Sequence, residues 1–238
     1  KEVVLVSSGA IAAGRQALGC QKPQTVAEKQ AYAAVGQARL MMVYQKIFSE
    51  YNQTAAQVLM TKNTIVDNTS RENARNTFDQ LLKLGTVPVV NENDTVSVEQ
   101  IRFGDNDTLA ALVACLIKAD SCVIFSDIEG LYTANPFLDP NARLIPEVDR
   151  ITPELMAAAG GATTKMGSGG MITKIRAARV LMIAGIEMTI CHGRRENTLM
   201  RIAAGDSVGT RFVSRGSIHD ITPKKLWIAL GDTAKGSL

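Results

Sequence analysis

Lys174 lies four residues after a pair of glycines, in Gly167-Ser168-Gly169-Gly170-Met171-Ile172-Thr173-Lys174. A glycine turn running into a helix exposes backbone N–H groups that carry partial positive charge and bind anions, phosphate above all. Lys174 would add a full charge beside such an anion. The helix reading rests on Ile172, Ile175, Ala178 and Leu181, which fall on one apolar stripe, while Lys174, Arg176 and Arg179 stay polar. The other reading of this segment is an ordinary glycine loop entering an ordinary helix.

Further polar clusters follow apolar runs. Ser7-Ser8-Gly9 follows Val3-Val4-Leu5-Val6, Asn91-Glu92-Asn93-Asp94 follows Val87-Pro88-Val89-Val90, and Ser126-Asp127 follows Ser121 to Phe125. Gly104-Asp105-Asn106-Asp107 opens a helical stretch that runs to about Lys118. Singly, each has a plain structural reading: Ser8 as a helix N-cap, Asp94 and Asp127 as turn formers, Asp107 as a helix cap. Together they put polar groups where open α/β sheets bind ligands, outside the carboxyl ends of the strands. The chemistry this suggests is phosphoryl transfer. Asp107 and Asp127 could orient lysines or position Mg2+, and glycine-rich backbone could hold phosphates. There is no GxxxxGK[ST], no GxGxxG and no GxSxG, so a P-loop, a Rossmann dinucleotide site and a hydrolase elbow are all unsupported.

The elements that must position these groups alternate. Strands are expected at Glu2–Val6, Ala56–Met60, Val87–Val90, Ser121–Phe125, Ile186–Ile190, Thr210–Val213 and Leu226–Leu230. Helices are expected at Ala10–Leu18, Gln24–Glu50 with a break near Gly36, Arg71–Leu84 capped by Gly85, the segment after Asp107, Ile151–Ala159, Met171–Ala184 and Asn197–Ala204. Val96 to Phe103 alternates like a hairpin, and Gly160 to Gly170 reads as a flexible loop that nucleotide would order. The alternation predicts an α/β fold, a three-layer αβα sandwich with a mainly parallel central sheet. Residues 1–213 form one domain in this reading, and polarity rises from Ser214 to Lys225 as in a linker.

Composition excludes several classes. The chain has 238 residues, 46% hydrophobic and 21% charged, which is ordinary for a soluble globular protein. A net charge of +3 with mixed signs is too weak and dispersed to imply a nucleic-acid or membrane partner. The longest strongly apolar run, Leu109 to Ile117, is too short to span a bilayer, and no signal peptide is visible. Cys20, Cys115, Cys122 and Cys191 form no CxxC pair and, with His192 and His219, no zinc pattern. Thiols used this way fit the reducing cytoplasm.

The clusters above, with Ser7-Ser8-Gly9-Ala10-Ile11-Ala12-Ala13-Gly14, Ala34-Val35-Gly36-Gln37, Asn73-Ala74-Arg75 and Gly130-Leu131-Tyr132, resemble the amino-acid kinase superfamily, and within it the glutamate 5-kinases. The likeness covers nearly the whole chain. The paired NEND and GDND segments carry it to that branch, against acetylglutamate kinases and aspartokinases. It implies transfer of the ATP γ-phosphate to the side-chain carboxylate of L-glutamate, as the first step of proline synthesis, with ATP and Mg2+ as cofactors. It implies that Ser8, Asn91, Asp94 and Asn106 hold glutamate, that Ser126, Asp127, Ser168, Gly169, Gly170, Met171, Ile172, Thr173 and Lys174 hold ATP, and that Lys174, Asp107 and Asp127 serve catalysis. It also implies a homo-oligomer and raises L-proline as a feedback inhibitor. Ser126 stands where many relatives carry threonine and keeps the hydroxyl. The family begins with a strand bearing a second active-site lysine, and Lys1 stands after it; we expect that segment upstream in the natural protein. Trp227 to Leu238 resembles the linker into a C-terminal PUA domain. A chain that binds glutamate or proline without turnover is the alternative from another class.

Overall fold

The structure, a computed structural model, describes residues 1–97, 105–160 and 170–214. It divides into two compact units, Lys1–Leu109 and Ala110–Leu238. The first contains β1 (Leu5–Val6), α1 (Ala10–Leu18), α2 (Val26–Ser49), β2 (Ala55–Met60), α3 (Lys62–Val66), α4 (Asn68–Lys83), β3 (Val87–Glu92) and the start of α5 (Asn106–Ile117). The second contains the rest of α5, then β4 (Ser121–Ser126), β5 (Glu147–Val148), α6 (Pro153–Gly160), α7 (Met171–Ala184), β6 (Glu187–His192), α8 (Thr198–Ala204) and β7 (Thr210–Phe212).

In the first unit three strands lie in the order β1-β3-β2, all parallel. Val89, Val90 and Met60 are fully buried, as strands covered on both faces require. Pro88 sits in the middle strand yet costs no ladder bond to β1, because β1 pairs only with Val89 and Val90. α2 starts where a capping box dictates. The Thr25 hydroxyl accepts from Glu28 N–H at 3.1 Å, and the Glu28 carboxylate accepts from Thr25 N–H at 3.0 Å. Backbone N–H groups of Thr25 and Gln24 hold that carboxyl below the usual carboxylate range.

α2 runs unbroken through Gly36, where the sequence suggests a break. The glycine has a different task. A Cβ there would stand 1.7 Å from Ala10 O and 2.4 Å from Gly14 N, and a Cβ on Gly14 would stand 1.8 Å from Tyr32 O. The two glycines let the backbones of α1 and α2 touch. Two elements escape the sequence reading. α3 is a single short helix split from α4 by Asp67, whose carboxylate caps α4 by accepting from Ser70 N–H at 2.7 Å. β5 is only two residues long. Gly85 closes α4 as expected, its N–H on Leu82 O at 2.9 Å.

In the second unit the order is β4-β6-β7-β5, parallel except for the β6–β7 pair. The strands are therefore mainly parallel, as the sequence reading expects, and are shared between two sheets, one per unit. α7 is central: Ile175, Ala177, Ala178, Val180 and Leu181 are fully buried, packed with Ile124, Met188, Ile190 and Phe212. Buried Thr210 ties this core together, accepting from Leu131 N–H at 2.8 Å and donating to Ile145 O at 2.6 Å. The expected hairpin at Val96–Phe103 lies largely outside the described residues. So do most of the Gly160–Gly170 loop, the strand at Leu226–Leu230 and all but Ser214 of the linker.

Candidate active site

The three parallel strands of the first unit finish on one side, β1 two residues before β2 and β3. Val6 is level with Val90, and Met60 is level with Glu92. Past that line the chain leaves β1 through Ser7, Ser8 and Gly9. Ser7 is buried and held at three points. Its N–H bonds Val90 O at 2.8 Å, its hydroxyl meets the Tyr44 hydroxyl at 2.8 Å, and its carbonyl accepts from the Asn106 amide at 2.8 Å. Gly9 takes φ 103°, a left-handed conformation that a side chain would strain, and this turn lets α1 begin at Ala10. Ser8 does not cap α1: the N-cap position is Gly9, and no side chain bonds the helix start. Ser8 is left exposed at the edge, beside N–H groups suited to an anion.

Asn91 and Asp94 arrive from β3. Asn91 is 3% exposed and still inside the strand. Its Oδ1 accepts from Glu92 N–H at 2.9 Å and its Nδ2 donates to Gln37 Oε1 at 3.0 Å. Gln37 in turn donates from Nε2 to Gln57 Oε1 at 3.0 Å. The chain then turns: Asp94 N–H bonds Glu92 O at 2.9 Å, and the Ser97 hydroxyl donates to Asn93 O at 2.9 Å. Asp94 is half-buried in that turn.

α5 begins at the same edge. Its cap is Asp105, not Asp107: Asp105 Oδ1 accepts from Thr108 N–H at 2.7 Å and Oδ2 from the Thr108 hydroxyl at 3.1 Å. That leaves Asn106 to reach Ser7 and puts Asp107 in the first helical turn, half-buried and out of the capping role. The described geometry thus gathers Ser8, Asn91, Asp94 and Asn106 on one edge of the first unit, with Asp107 next to Asn106.

A second edge belongs to the other unit. Ser126 is level with His192 at the ends of β4 and β6. The Ser126 hydroxyl bonds Asp127 Oδ1 at 3.3 Å, and Gly193 N–H bonds Ser126 O at 2.9 Å. Asp127 is exposed. His192 Nδ1 accepts from Arg194 N–H at 3.0 Å, so the neutral ring carries its proton on Nε2. Arg195 pairs with Glu129 at 2.5 Å. Burial, helped by the Glu129 charge, pushes the Cys191 thiol up to about 11, which disfavours the thiolate a nucleophile needs.

α7 carries Lys174 in its first turn, half-buried, with Met171 and Ile172. Gly170 is the N-cap, with no side-chain cap; instead the Thr173 hydroxyl folds back on Gly170 O at 2.7 Å. Ser168 and Gly169 lie outside the described residues. No group of three or more His, Cys, Asp or Glu is gathered for a metal ion among the described residues. No described helix is long and apolar enough to cross a membrane. Sequence reasoning left four residues of these edges without a role: Ser7, Gln37, Asp105 and His192. The signal for Gln37 was present, in Ala34-Val35-Gly36-Gln37, but a glutamine inside a helix looks like a surface residue until its burial is known.

Comparison with known proteins matches residues 1–192 to the amino acid kinase family. A glutamate 5-kinase of Citrifermentans bemidjiense is 48% identical over 238 residues, all of this chain and 63% of that protein. One of Carboxydothermus hydrogenoformans is 51% identical over the same span and share. The chain thus spans somewhat under two thirds of the length of these curated relatives. Among solved structures, a UMP kinase of Bacillus anthracis superimposes with a TM-score of 0.53 at 13% identity, over 88% of this chain and 76% of that one. An isopentenyl phosphate kinase gives 0.56 at 16% identity, over 89% and 84%. These two share the fold.

Proposed function

We propose that this chain, which belongs to the amino acid kinase family, carries the machinery that transfers the ATP γ-phosphoryl group to the side-chain carboxylate of L-glutamate. The observation that carries the reading is the Asn106–Ser7 bond of 2.8 Å, which ties the start of α5 to the SSG turn, at the edge where β3 delivers Asn91 and Asp94. Its substrate assignment is supported by relatives named glutamate 5-kinase at 48% and 51% identity.

The roles follow from charge. An amino-acid acceptor offers an ammonium and two carboxylates. Asp94 is the partner for the ammonium; the Ser8 hydroxyl, the α1 start and the Asn91 and Asn106 amides are donors for the carboxylates. Nucleotide takes the edge with Ser126 and Asp127 and the capless start of α7 at Gly170–Lys174, together with Ser168 and Gly169. Lys174 neutralises charge that develops on the transferring phosphoryl group. Mg2+, when bound with ATP, supplies further neutralisation. That ion is content with one or two carboxylates beside phosphates and water, and exposed Asp127 has the right donor chemistry. Asp107 orients the cationic groups. A place in proline synthesis, proline as an inhibitor, homo-oligomeric assembly, a cytoplasmic location, and a kinase domain over residues 1–213 followed by a linker at 214–238 extend the same reading.

The test is ADP release by the full-length protein, coupled to a dehydrogenase, with glutamate, N-acetylglutamate and aspartate as acceptors. Glutamate should give the highest kcat/KM. A higher value for either rival would refute the substrate assignment.

A further inference from the structure

We infer that Gln37 is a positioning residue for the acceptor site, setting the direction in which Asn91 offers its amide; the inference rests on the function proposed above. Three side-chain amides form a line: Gln57 on β2, Gln37 on α2 and Asn91 on β3. The line has one possible polarity, and a backbone group sets it. Glu92 N–H can only donate, so the Asn91 atom facing it is the oxygen. The other Asn91 atom is then Nδ2, which needs an acceptor, so Gln37 turns Oε1 towards it. That leaves Gln37 Nε2 to donate, and Gln57 answers with Oε1.

Each step is forced by the one before. An Asn amide has two hydrogens, and Gln37 engages one of them. The second is thereby held in a fixed direction at the end of β3, as a neutral donor for a carboxylate. Gln37 itself is 8% exposed and Asn91 3%, so neither amide turns freely in water. Tyr44 lies seven residues, two helical turns, beyond Gln37 on α2 and meets the Ser7 hydroxyl at 2.8 Å. One face of α2 thus steadies both strand ends from which the proposed acceptor residues project. Gln57, by contrast, is exposed and is the far end of the line.

The experiment uses the full-length protein and reads KM for each substrate beside thermal stability. Q37M keeps the length of the side chain and loses both hydrogen bonds. It should raise the glutamate KM about tenfold, as expected when a donor to a carboxylate is no longer aimed. The ATP KM should stay within about twofold. Q37E still offers Asn91 an acceptor and should fall between Q37M and the wild type. An unchanged glutamate KM, equal rises for both substrates, or a Q37E no better than Q37M would overturn the inference. If Q37M fails to fold, the exposed end carries the test: Q57L should raise the glutamate KM by about threefold with ATP unaffected, and no change there overturns it. Should the wild type phosphorylate N-acetylglutamate or aspartate instead, the substrate reading fails alone, and the same comparison is made with that acceptor. If no acid is phosphorylated, calorimetry with glutamate on the same variants decides, and an absence of binding overturns both.

Discussion

Replacing Gly36 by alanine should destabilise the protein, against the usual rule for helix interiors. In an isolated helix the change gains about 1 kcal/mol, because glycine loses the most backbone entropy. Here the added Cβ would lie 1.7 Å from Ala10 O, 2.4 Å from Gly14 N and 2.7 Å from Ala10 C. An ordinary carbon–oxygen contact is about 3.2 Å or more, so about 1.5 Å must be found. All three atoms are backbone, and no side-chain rotation relieves them. α1 and α2 have to separate, which loosens Ala10 and Ala33, now 3% and 1% exposed. Overpacking of this kind costs about 1–3 kcal/mol or more, and α1 has no slack because it starts directly after Gly9. Because the clash is with backbone alone, the cost is taken at the upper end, about 3 kcal/mol; less the gain of about 1 kcal/mol this leaves a net loss of about 2 kcal/mol, or about 4–8 °C in Tm for a chain of this size. The assay is urea unfolding followed by circular dichroism, with Ala38→Gly as control. Ala38 is exposed in the same helix, so its change measures the propensity contribution alone and should cost about 1 kcal/mol. A Gly36→Ala protein as stable as wild type, or more so, would show that the helices do not touch as described. In that event the explanation for the unbroken α2 goes with it.

Asp94→Ala should raise the Michaelis constant for glutamate far more than that for ATP; equal effects would remove Asp94 from the acceptor site. Lys174→Ala should lower turnover by about 100-fold or more while the circular dichroism spectrum is kept, and near-normal turnover would make it a plain helix residue. Thr210→Val strands the Leu131 N–H and Ile145 O groups that Thr210 now satisfies, and should cost about 2–4 kcal/mol in urea unfolding; a loss under about 1 kcal/mol would mean that water replaces the hydroxyl. Burial pushes Cys115 up to about 12, and burial with the Glu129 charge pushes Cys191 up to about 11, whereas an unfolded thiol ionises near 9. Their folded pKa values are raised, so their contribution to stability is complete below about pH 9 and is lost as pH climbs towards 11 and 12. At pH 8 a disulfide reagent should label exposed Cys20 quickly, half-buried Cys115 more slowly, and buried Cys122 and Cys191 only as fast as the protein opens; rapid labelling of Cys191 would contradict its burial.

Most of the framework was legible because it is written in local patterns. The apolar period of Met171–Ala184, the β-branched run at Val87–Val90 and the cap at Gly85 each declare an element without help from the rest of the chain. The misses share a cause. Gly36 read as a breaker because nothing local shows that α1 lies against it; the contact spans more than twenty residues of sequence. α3 was lost because it has only five residues and shares Asp67 with α4, as its own C-cap through the backbone N–H on Asn63 O and as the N-cap of α4 through the carboxylate. β5 has two residues, held by β7 more than sixty positions away. In the site, Ser8, Asn91 and Asp94 were legible in polar clusters after strands, and Asn106 in a cluster at a helix start. Their division of labour was not.

The two acidic ends of the Asp105-Asn106-Asp107 triplet show why. Either aspartate satisfies the preference for a capping carboxylate at a helix start, and composition cannot choose between them. The choice is made by Asn106, which must face Ser7 O. With Asn106 in the first helical position, only Asp105 precedes the helix and can cap it, and Asp107 is carried into the first turn. The same logic governs the amides. A site for a dicarboxylic acid needs donors that bring no negative charge of their own, and neutral amides satisfy that need. An amide is useful only if it cannot turn its oxygen towards the anion. Glu92 N–H and Gln37 together deny Asn91 that freedom. On the function proposed above, the residue types offer groups to an amino acid at this edge; the hydrogen-bond polarity, which no single segment encodes, decides which Asn91 atom would meet it.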